Sequence, residues 1–242
     1  MKAISLRRAI LPTAVMVTLV ILLALWMRLE QSVSRSVSSA AVENKSVVVL
    51  DAGHGGMDGG ATVGSIRESD INLAIAKDTR DFLTLMGYHI IMTRDGDYSI
   101  HDSSASTIRK QKRSDLENRL QIMRSTPEAV CVSIHQNHFS QSYVHGAQVF
   151  YGAAAGSEEL AETIQENIAA YLQTDNERKI KQADSSLFIL INNDSNPSVM
   201  VECGFLSNPG DAANLRDSGY QRGLAYLIGC SLIEYGAAAA AQ

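Results

Sequence analysis

Short β-branched runs alternate with amphipathic helical stretches along most of this chain, and this alternation is the feature that most constrains its fold. Five runs have the apolar character of buried strands; they span residues 46–50, 88–93, 129–134, 146–151 and 198–201. Between them, apolar residues recur at helical spacing over residues 70–86, 114–124, 157–172 and 220–235. Strands that alternate with helices are typical of an α/β fold. The sequence therefore predicts a three-layer α/β sandwich with a mostly parallel or mixed sheet flanked by helices.

Polar residues predict where several of these elements begin. Residues 95–112 are rich in Asp, Ser, Lys and Arg, which predicts a surface loop. Ser114 and Glu117 have the spacing of a capping box, so a helix is expected to begin there. Ser157 is expected to cap the following helix. The short apolar segment 187–191 is compatible with either a strand or a helix.

The first 27 residues are a separate feature. Lys2, Arg7 and Arg8 precede an uncharged apolar run at residues 9–27, whose 19 residues just suffice to span a bilayer. This pattern predicts an uncleaved signal-anchor or, alternatively, a cleaved signal peptide, with the rest of the chain exported. Residues 28–45 are rich in Ser, Val and Ala and predict a linker. The folded domain is expected at 46–236, followed by a tail at 237–242.

The charge of the expected domain excludes one class of partner. After residue 45, 15 Lys and Arg residues and 24 Asp and Glu residues give a net charge of −9. A domain of this charge is unsuited to binding nucleic acid through its phosphates. The three cysteines, Cys131, Cys203 and Cys230, are odd in number and lack the pair spacing of a metal site. They are expected to be small buried apolar residues.

Four potential metal ligands or acid/base groups lie just past the predicted strands or at a helix start. His54, His135 and Glu202 each follow an apolar run, and Glu68 lies where the first long helix begins. Ligands of α/β sheets gather at the carboxyl ends of the strands. Two imidazoles and one carboxylate can hold a single Zn²⁺ ion with an open coordination position, and a second carboxylate can take a proton from water. This set of two histidines and two carboxylates therefore predicts metal-assisted hydrolysis. His138 is close enough in sequence to share or replace the role of His135.

The surroundings of Glu202 and the glycine-rich loop narrow the chemistry further. Glu202 lies in the apolar run Val-Met-Val-Glu-Cys-Gly-Phe-Leu. A buried carboxylate without a partner is costly, and burial raises its pKa toward the range of a general base. The loop that begins at Asp51 lacks the Gly-Lys-Ser/Thr ending of a phosphate loop, which argues against nucleotide binding. Its glycines allow sharp turns and leave one wall of the cleft open.

These residues occur in motifs that resemble the zinc-dependent N-acetylmuramoyl-L-alanine amidases, the family often called amidase-3. The resemblance runs from about residue 47 to residue 235. The matching motifs are Leu50-Asp-Ala-Gly-His54-Gly-Gly with Asp58-Gly-Gly, Arg67-Glu68 before Asn72, Thr93-Arg94 with the later Arg119, Ser133-Ile-His135-Gln-Asn137, and Val201-Glu202-Cys-Gly-Phe-Leu-Ser-Asn208.

The resemblance implies a reaction and a role for each residue. By it, His54, Glu68 and His135 bind one Zn²⁺ ion and Glu202 is the catalytic acid/base. Family members hydrolyse the amide between the lactyl group of N-acetylmuramic acid and the L-alanine of the stem peptide, so peptidoglycan is the expected substrate. Asn137 and Arg94 could orient that substrate. Two alternatives stay open: an exported zinc peptidase with the same ligands, and a non-catalytic wall-binding module.

Departures from the family pattern bear on the subgroup. Gln136 stands where the family usually has a small residue, and the Ala-Asn that often follows the arginine at position 119 is missing. The 66 residues between His135 and Glu202 are too few for a long autoinhibitory insertion. The chain looks most like the short spore-cortex, germination-specific type, in which stem-peptide removal allows muramic-δ-lactam to form. That likeness implies a location at the outer face of the membrane or in the forespore intermembrane space, and an accessory protein that loads substrate or metal.

Overall fold

The computed structural model of the protein describes residues 47–240. The predicted N-terminal signal segment and the linker lie outside these residues, as does the very end of the predicted tail. Within the described part of the chain, no helix combines the length and the apolar character needed to cross a membrane.

A six-stranded mixed sheet forms the centre of the domain. Its strands are β1 (Val47–Ala52), β4 (His89–Met92), β5 (Val130–Asn137), β6 (Gln148–Tyr151), β7 (Lys181–Gln182) and β8 (Ser198–Phe205). Their spatial order is β4-β1-β5-β8-β6-β7. The four strands β4, β1, β5 and β8 run parallel, whereas β6 is antiparallel to β8 and parallel to β7. A separate antiparallel pair, β2 (Thr62–Val63) and β3 (Ile66–Arg67), lies in the loop after β1.

Helices cover both faces of this sheet. They are α1 (Glu68–Leu85), α2 (Ile108–Ser125), α3 (Ser157–Tyr171), α4 (Phe188–Asn192), α5 (Pro209–Arg216) and α6 (Ser218–Ala240). Helices α1, α3, α5 and α6 share one apolar cluster with alternate strand residues such as Val48 and Leu50. Helices α2 and α4 pack on the opposite face, against Val49 and Cys131. The predicted three-layer α/β sandwich with a mixed sheet is confirmed.

The start of α2 differs from the prediction. The helix begins at Ile108, inside the segment expected to be a loop, and the side chain of Thr107 accepts a hydrogen bond from the amide of Lys110. Ser114 lies within the helix, where its hydroxyl donates to Asp102 at 2.9 Å. The capping-box prediction was wrong because the Ser114 hydroxyl stabilises a neighbouring loop and not the helix end.

Two further boundaries also differ. Gly156, with φ of 82°, precedes α3, and Ser157 is the first residue of the helix. The Ser157 hydroxyl accepts from the amide of Ser198 at 3.0 Å, so it joins α3 to β8 and does not cap the helix. Helix α6 continues to Ala240, past the domain end expected at residue 236.

The cysteines of the domain are free thiols. Cys131 and Cys203 are buried, as predicted, and Cys230 is half-buried.

Candidate active site

His54 projects from a tight turn at the carboxyl end of β1. The turn is joined to the neighbouring strand by the amide of Gly53, which donates to the carbonyl of Ile134 at 3.1 Å. His54 itself has φ of 62°, in the left-handed region that non-glycine residues rarely adopt. Such a conformation persists only where the surrounding structure enforces it.

Two buried arginines enforce this turn. Arg94 donates to the carbonyls of Ala52 at 2.8 Å and Gly53 at 3.0 Å. Arg119 donates to the carbonyls of Ala52 at 2.8 Å and His54 at 2.6 Å. Three consecutive backbone carbonyls are therefore bound by guanidinium groups, which orients the His54 side chain.

Arg94 was expected to contact substrate, but the structure places it in the interior. The residue is only 1% exposed, and its guanidinium also donates to the carbonyls of Gly96 and Ser69. All of these acceptors belong to the backbone. The structure therefore does not bring Arg94 to the surface of the cleft.

The charge of Arg119 is balanced by Asp51, which is also fully buried, and by the more exposed Asp115. The two side chains form an ion pair at 2.6 Å. Burial alone would raise the pKa of Asp51, but Arg119, His135 and the hydroxyls of Ser133 and Thr93 outweigh it and hold that pKa at about 2. The carboxylate is therefore fully ionised at neutral pH and anchors the arginine beneath the turn.

The structure brings His54, Glu68 and His135 together at one point. Each offers one potential ligand atom, and all three atoms lie within 4.8 Å of one another. His54 Nε2 lies 3.2 Å from Glu68 Oε1, and His135 Nδ1 lies 3.0 Å from the same oxygen. The three residues come from the turn after β1, the first residue of α1 and the end of β5. Adjacent parallel strands thus bridge long sequence separations, as expected.

The Glu68 carboxylate is held from several sides. Its Oε2 accepts from the amide of Ala61 at 2.8 Å, and its Oε1 accepts from the amide of Gln136 at 3.1 Å. The Asn72 side chain donates to the same Oε1 at 3.3 Å, and the Gln136 side chain donates to Asn72 Oδ1 at 3.1 Å. Gln136, the residue that departs from the family pattern, therefore fixes the amide that supports Glu68.

Two glycines of the loop allow these side chains to approach the backbone. A Cβ atom at Gly53 would collide with the ring of His135. A Cβ atom at Gly60, which has φ of 66°, would lie 2.5 Å from Glu68 Oε2. Any side chain at these positions would collide with a potential metal ligand, which explains why these two positions are glycine.

A second carboxylate orients His54, and sequence reasoning did not assign it this role. Asp58 Oδ2 lies 3.1 Å from His54 Nδ1, which leaves Nε2 facing Glu68. Lys112 Nζ lies 2.9 Å from the other oxygen of Asp58. A carboxylate on the far nitrogen of a ligating histidine fixes its tautomer and raises its basicity. The four-residue spacing from His54 within one tight loop was the available signal.

We expect Asp58→Ala to weaken zinc binding by about 10- to 100-fold, because His54 loses the partner that orients its ring. Competition with a chromophoric chelator measures this affinity. Asp70→Ala is the matched control, since Asp70 is an exposed aspartate paired with Arg67. Equal zinc affinity in Asp58→Ala and the unaltered protein would show that Asp58 does not support the ligand.

Glu202 lies beside this group. It is the cross-strand partner of His135 in the register of β5 and β8. Its Oε2 is inaccessible to solvent and has no hydrogen-bond partner among the residues that the structure describes. Burial raises the pKa of Glu202 to about 7, a range suited to both accepting and releasing a proton at neutral pH.

Asn137 and His138 follow at the end of β5. The side chain of Asn137 accepts from the amide of His138 at 2.8 Å. His138 is exposed. Among the described residues, the group of potential ligands contains His135 and not His138. The alternative that His138 shares or replaces the role of His135 is therefore not supported.

The arrangement fits a zinc ion. Ligand atoms around a tetrahedral zinc at about 2.0–2.2 Å lie roughly 3.4 Å apart. The nitrogens of His54 and His135 lie 3.2 Å and 3.0 Å from the Glu68 oxygen, which is close to this separation. Two histidines and one carboxylate are a known donor set of catalytic zinc sites and leave one position open. The buried Oε2 of Glu202, which lacks a partner among the described residues, is the kind of group that such a position requires.

Comparison with known proteins agrees with this geometry. Residues 48–234 match the model of the family described as N-acetylmuramoyl-L-alanine amidase. The germination-specific N-acetylmuramoyl-L-alanine amidase of Bacillus subtilis (strain 168) is 34% identical over 190 residues, which cover 78% of this chain and 79% of that relative.

Solved structures show the same fold. The CwlD amidase of Clostridioides difficile, solved in complex with the GerS lipoprotein, superposes with a TM-score of 0.75 at 38% identity and covers 79% of this chain and 98% of that chain. The catalytic domain of CwlV from Bacillus (Paenibacillus) polymyxa var. colistinus gives a TM-score of 0.65 at 29% identity, over 78% of this chain and 97% of that chain. The motifs that resemble the family supply the ligand group of this site, and residues 48–234 match the family model. The chain therefore belongs to the N-acetylmuramoyl-L-alanine amidase family.

Proposed function

We propose that this protein hydrolyses the amide bond between N-acetylmuramic acid and L-alanine in peptidoglycan, with one zinc ion held by His54, Glu68 and His135. The observation that carries the proposal is the ligand group, whose atoms lie within 4.8 Å of one another. Glu202 follows it on the neighbouring strand, with a buried oxygen that has no partner among the described residues.

The residues of the site have different roles in the proposed reaction. When bound, zinc polarises the scissile carbonyl and lowers the pKa of water. Glu202 accepts a proton from the attacking water and gives it to the nitrogen of L-alanine as the carbon–nitrogen bond breaks. The products are a muramic carboxylate and a free stem peptide. Asn137, the last residue of β5 and two residues after His135, is proposed to orient the substrate.

Mass spectrometry of digested peptidoglycan tests this function. We expect free stem peptides that begin at L-alanine, loss of activity with a chelator, and recovery on addition of Zn²⁺. Cleavage inside the stem peptide would instead identify a peptidase. Binding to the cell wall without any released peptide would identify a non-catalytic module.

The biological role that we propose is maturation of the spore cortex, through muramic-δ-lactam formation. Its support is the similarity to the germination-specific amidase of Bacillus subtilis. Residues 1–27 would direct the domain to the outer face of the membrane or to the forespore intermembrane space. Spores that lack the protein are expected to contain cortex without muramic-δ-lactam, and normal lactam content would contradict this role.

An accessory protein is part of the proposal, because the similar CwlD amidase was solved together with the GerS lipoprotein. The partner would load metal or substrate. The purified protein alone is then expected to show incomplete zinc occupancy and low activity. Full occupancy and full activity without a partner would contradict this expectation.

A further inference from the structure

Arg178 is a half-buried cation that lacks a counterion among the described residues. Its guanidinium lies over the ring of Phe205, 4.7 Å from the ring centroid, and its Nε is inaccessible to solvent. Within residues 47–240, that Nε has no hydrogen-bond acceptor and no carboxylate forms an ion pair with the side chain. The other arginines of this part that are at least half-buried all donate to carboxylates or carbonyls; they are Arg67, Arg80, Arg94 and Arg119.

A half-buried arginine without a counterion lowers the stability of the folded protein unless a ligand pairs with it. Partial burial of a cation removes water, and no group of the described residues replaces that water at Arg178 Nε. Burial lowers the pKa of Arg178, and the charge of Asp211 opposes this shift without contacting the guanidinium. The guanidinium group presents its donors in a rigid fork, and that geometry matches a carboxylate.

The cavity beside Arg178 carries both signs of charge. It has a volume of about 170 Å³, enough for one amino-acid end group. Arg178 and Lys179 supply the positive charge, and Glu162 and Glu166 supply the negative charge. Side-chain amides and apolar groups complete the wall; they come from Gln165, Asn176, Ala169 and Ile180. This lining suits a zwitterion, whose carboxylate faces the arginine and whose ammonium faces the glutamates.

The cavity lies at a defined place relative to Glu202. Gln148 is the cross-strand partner of Glu202, and its side chain donates to the carbonyl of Lys179 at 2.7 Å. Strand β6 lies between β8 and β7, and its parallel register with β7, extended back from the pair Phe150–Lys181, places Lys179 opposite Gln148. At about 4.8 Å per strand spacing, the backbone of Lys179 is roughly 10 Å from that of Glu202. An extended peptide covers this distance in about three residues.

We propose that this cavity binds the zwitterionic end of a diamino acid at the third position of the stem peptide, with Arg178 holding its carboxylate. This inference rests on the proposed amidase function, because L-alanine then occupies the site beside Glu202. The cavity would select stem peptides whose third residue carries a free amino group and a free carboxylate at its side-chain end.

Matched substrates test the assignment. Steady-state kinetics would compare a muramoyl tripeptide with a free diamino-acid end and the same compound with that carboxylate amidated. We expect Arg178→Gln to raise KM for the substrate with the free carboxylate by roughly tenfold or more, with kcat unchanged. The loss of one hydrogen bond to a charged group weakens binding by about this factor. For the amidated form, Arg178→Gln should have no effect. Arg178→Lys should recover part of the affinity because it keeps the charge.

Two controls make the test specific to the Arg178 cavity. Arg222→Gln removes an exposed positive charge on α6 and should leave both substrates unaffected. Equal losses on the free and amidated substrates, or no loss on either, would overturn the role of Arg178. Calorimetry with the released tripeptide measures binding without turnover. Tripeptide binding that depends on Arg178 would support the cavity even if no muropeptide were cleaved, an outcome that would count against the amidase function alone.

Discussion

Replacing Glu202 by alanine is expected to abolish hydrolysis of the muramoyl–L-alanine amide while the zinc content of the protein stays unchanged. Glu202 lies beside the ligand group, but its Oε2 is buried without a partner among the described residues and is not one of the three ligand atoms. Loss of general acid–base catalysis lowers rates by about 10²- to 10⁴-fold. The measurement is kcat on purified muropeptides together with metal analysis of the same sample.

Two further variants make this expectation specific. His54→Ala should lose both metal and turnover, because it removes one of the three ligand atoms. Asp194→Ala removes an exposed carboxylate in the loop before β8, where it pairs with Arg124, and should change neither. Zinc loss in Glu202→Ala would mean that Glu202 is itself a ligand, and the proposed division of roles would then be wrong.

The second large effect concerns stability. Asp51→Ala is expected to lower the free energy of unfolding by about 3–5 kcal/mol, because Arg119 would lose its fully buried partner and keep only the more exposed Asp115, and the hydroxyls of Thr93 and Ser133 would lose their acceptor. Arg119 is 1% exposed and lies 2.6 Å from Asp51. Since Arg119 also binds the carbonyl of His54, zinc affinity should fall together with stability. Urea unfolding monitored by circular dichroism measures the first effect, and chelator competition measures the second.

The expected stability loss of Asp51→Ala has a defined pH dependence and can be compared with a surface variant, Asp70→Ala. The pKa of Asp51 is lowered to about 2 from 3.8, so its contribution is complete above pH 3.8 and is lost only as the pH falls toward 2. The stability difference should therefore be constant between about pH 5 and pH 8. Asp70→Ala breaks an exposed ion pair with Arg67 and should cost about 1 kcal/mol or less. A comparably small loss in Asp51→Ala would contradict the structural role of the buried pair.

The predicted architecture followed from local patterns. Strands β1, β5 and β8 were recognisable because their β-branched runs face apolar layers on both sides, and α1 and α6 because apolar residues recur at helical spacing. Helix starts were harder to predict from sequence. Ser114 has the residue type of a cap, but the tertiary structure uses its hydroxyl to bind Asp102, and Thr107 caps α2 instead.

By itself, the sequence determined which side chains could form the metal site and its acid/base group, because His54, His135 and Glu202 end apolar runs typical of buried strands and Glu68 lies where a helix begins. The supporting groups depended on the tertiary structure. The spacing of Asp58 from His54 is a weak local signal for their contact, whereas the contact of Arg119 with the His54 carbonyl joins residues 65 positions apart and depends on backbone positions that no residue pattern specifies.

The cavity at Arg178 depended on tertiary structure in the same way. A lone arginine in a polar segment predicts a solvated side chain, and only the packing on Phe205 reveals a guanidinium that lacks a counterion among the described residues. Residue types and their spacing therefore determined the chemistry available to this protein. The three-dimensional arrangement decided which charges are buried, which are paired and where a substrate can reach them, because these depend on contacts between residues far apart in the chain.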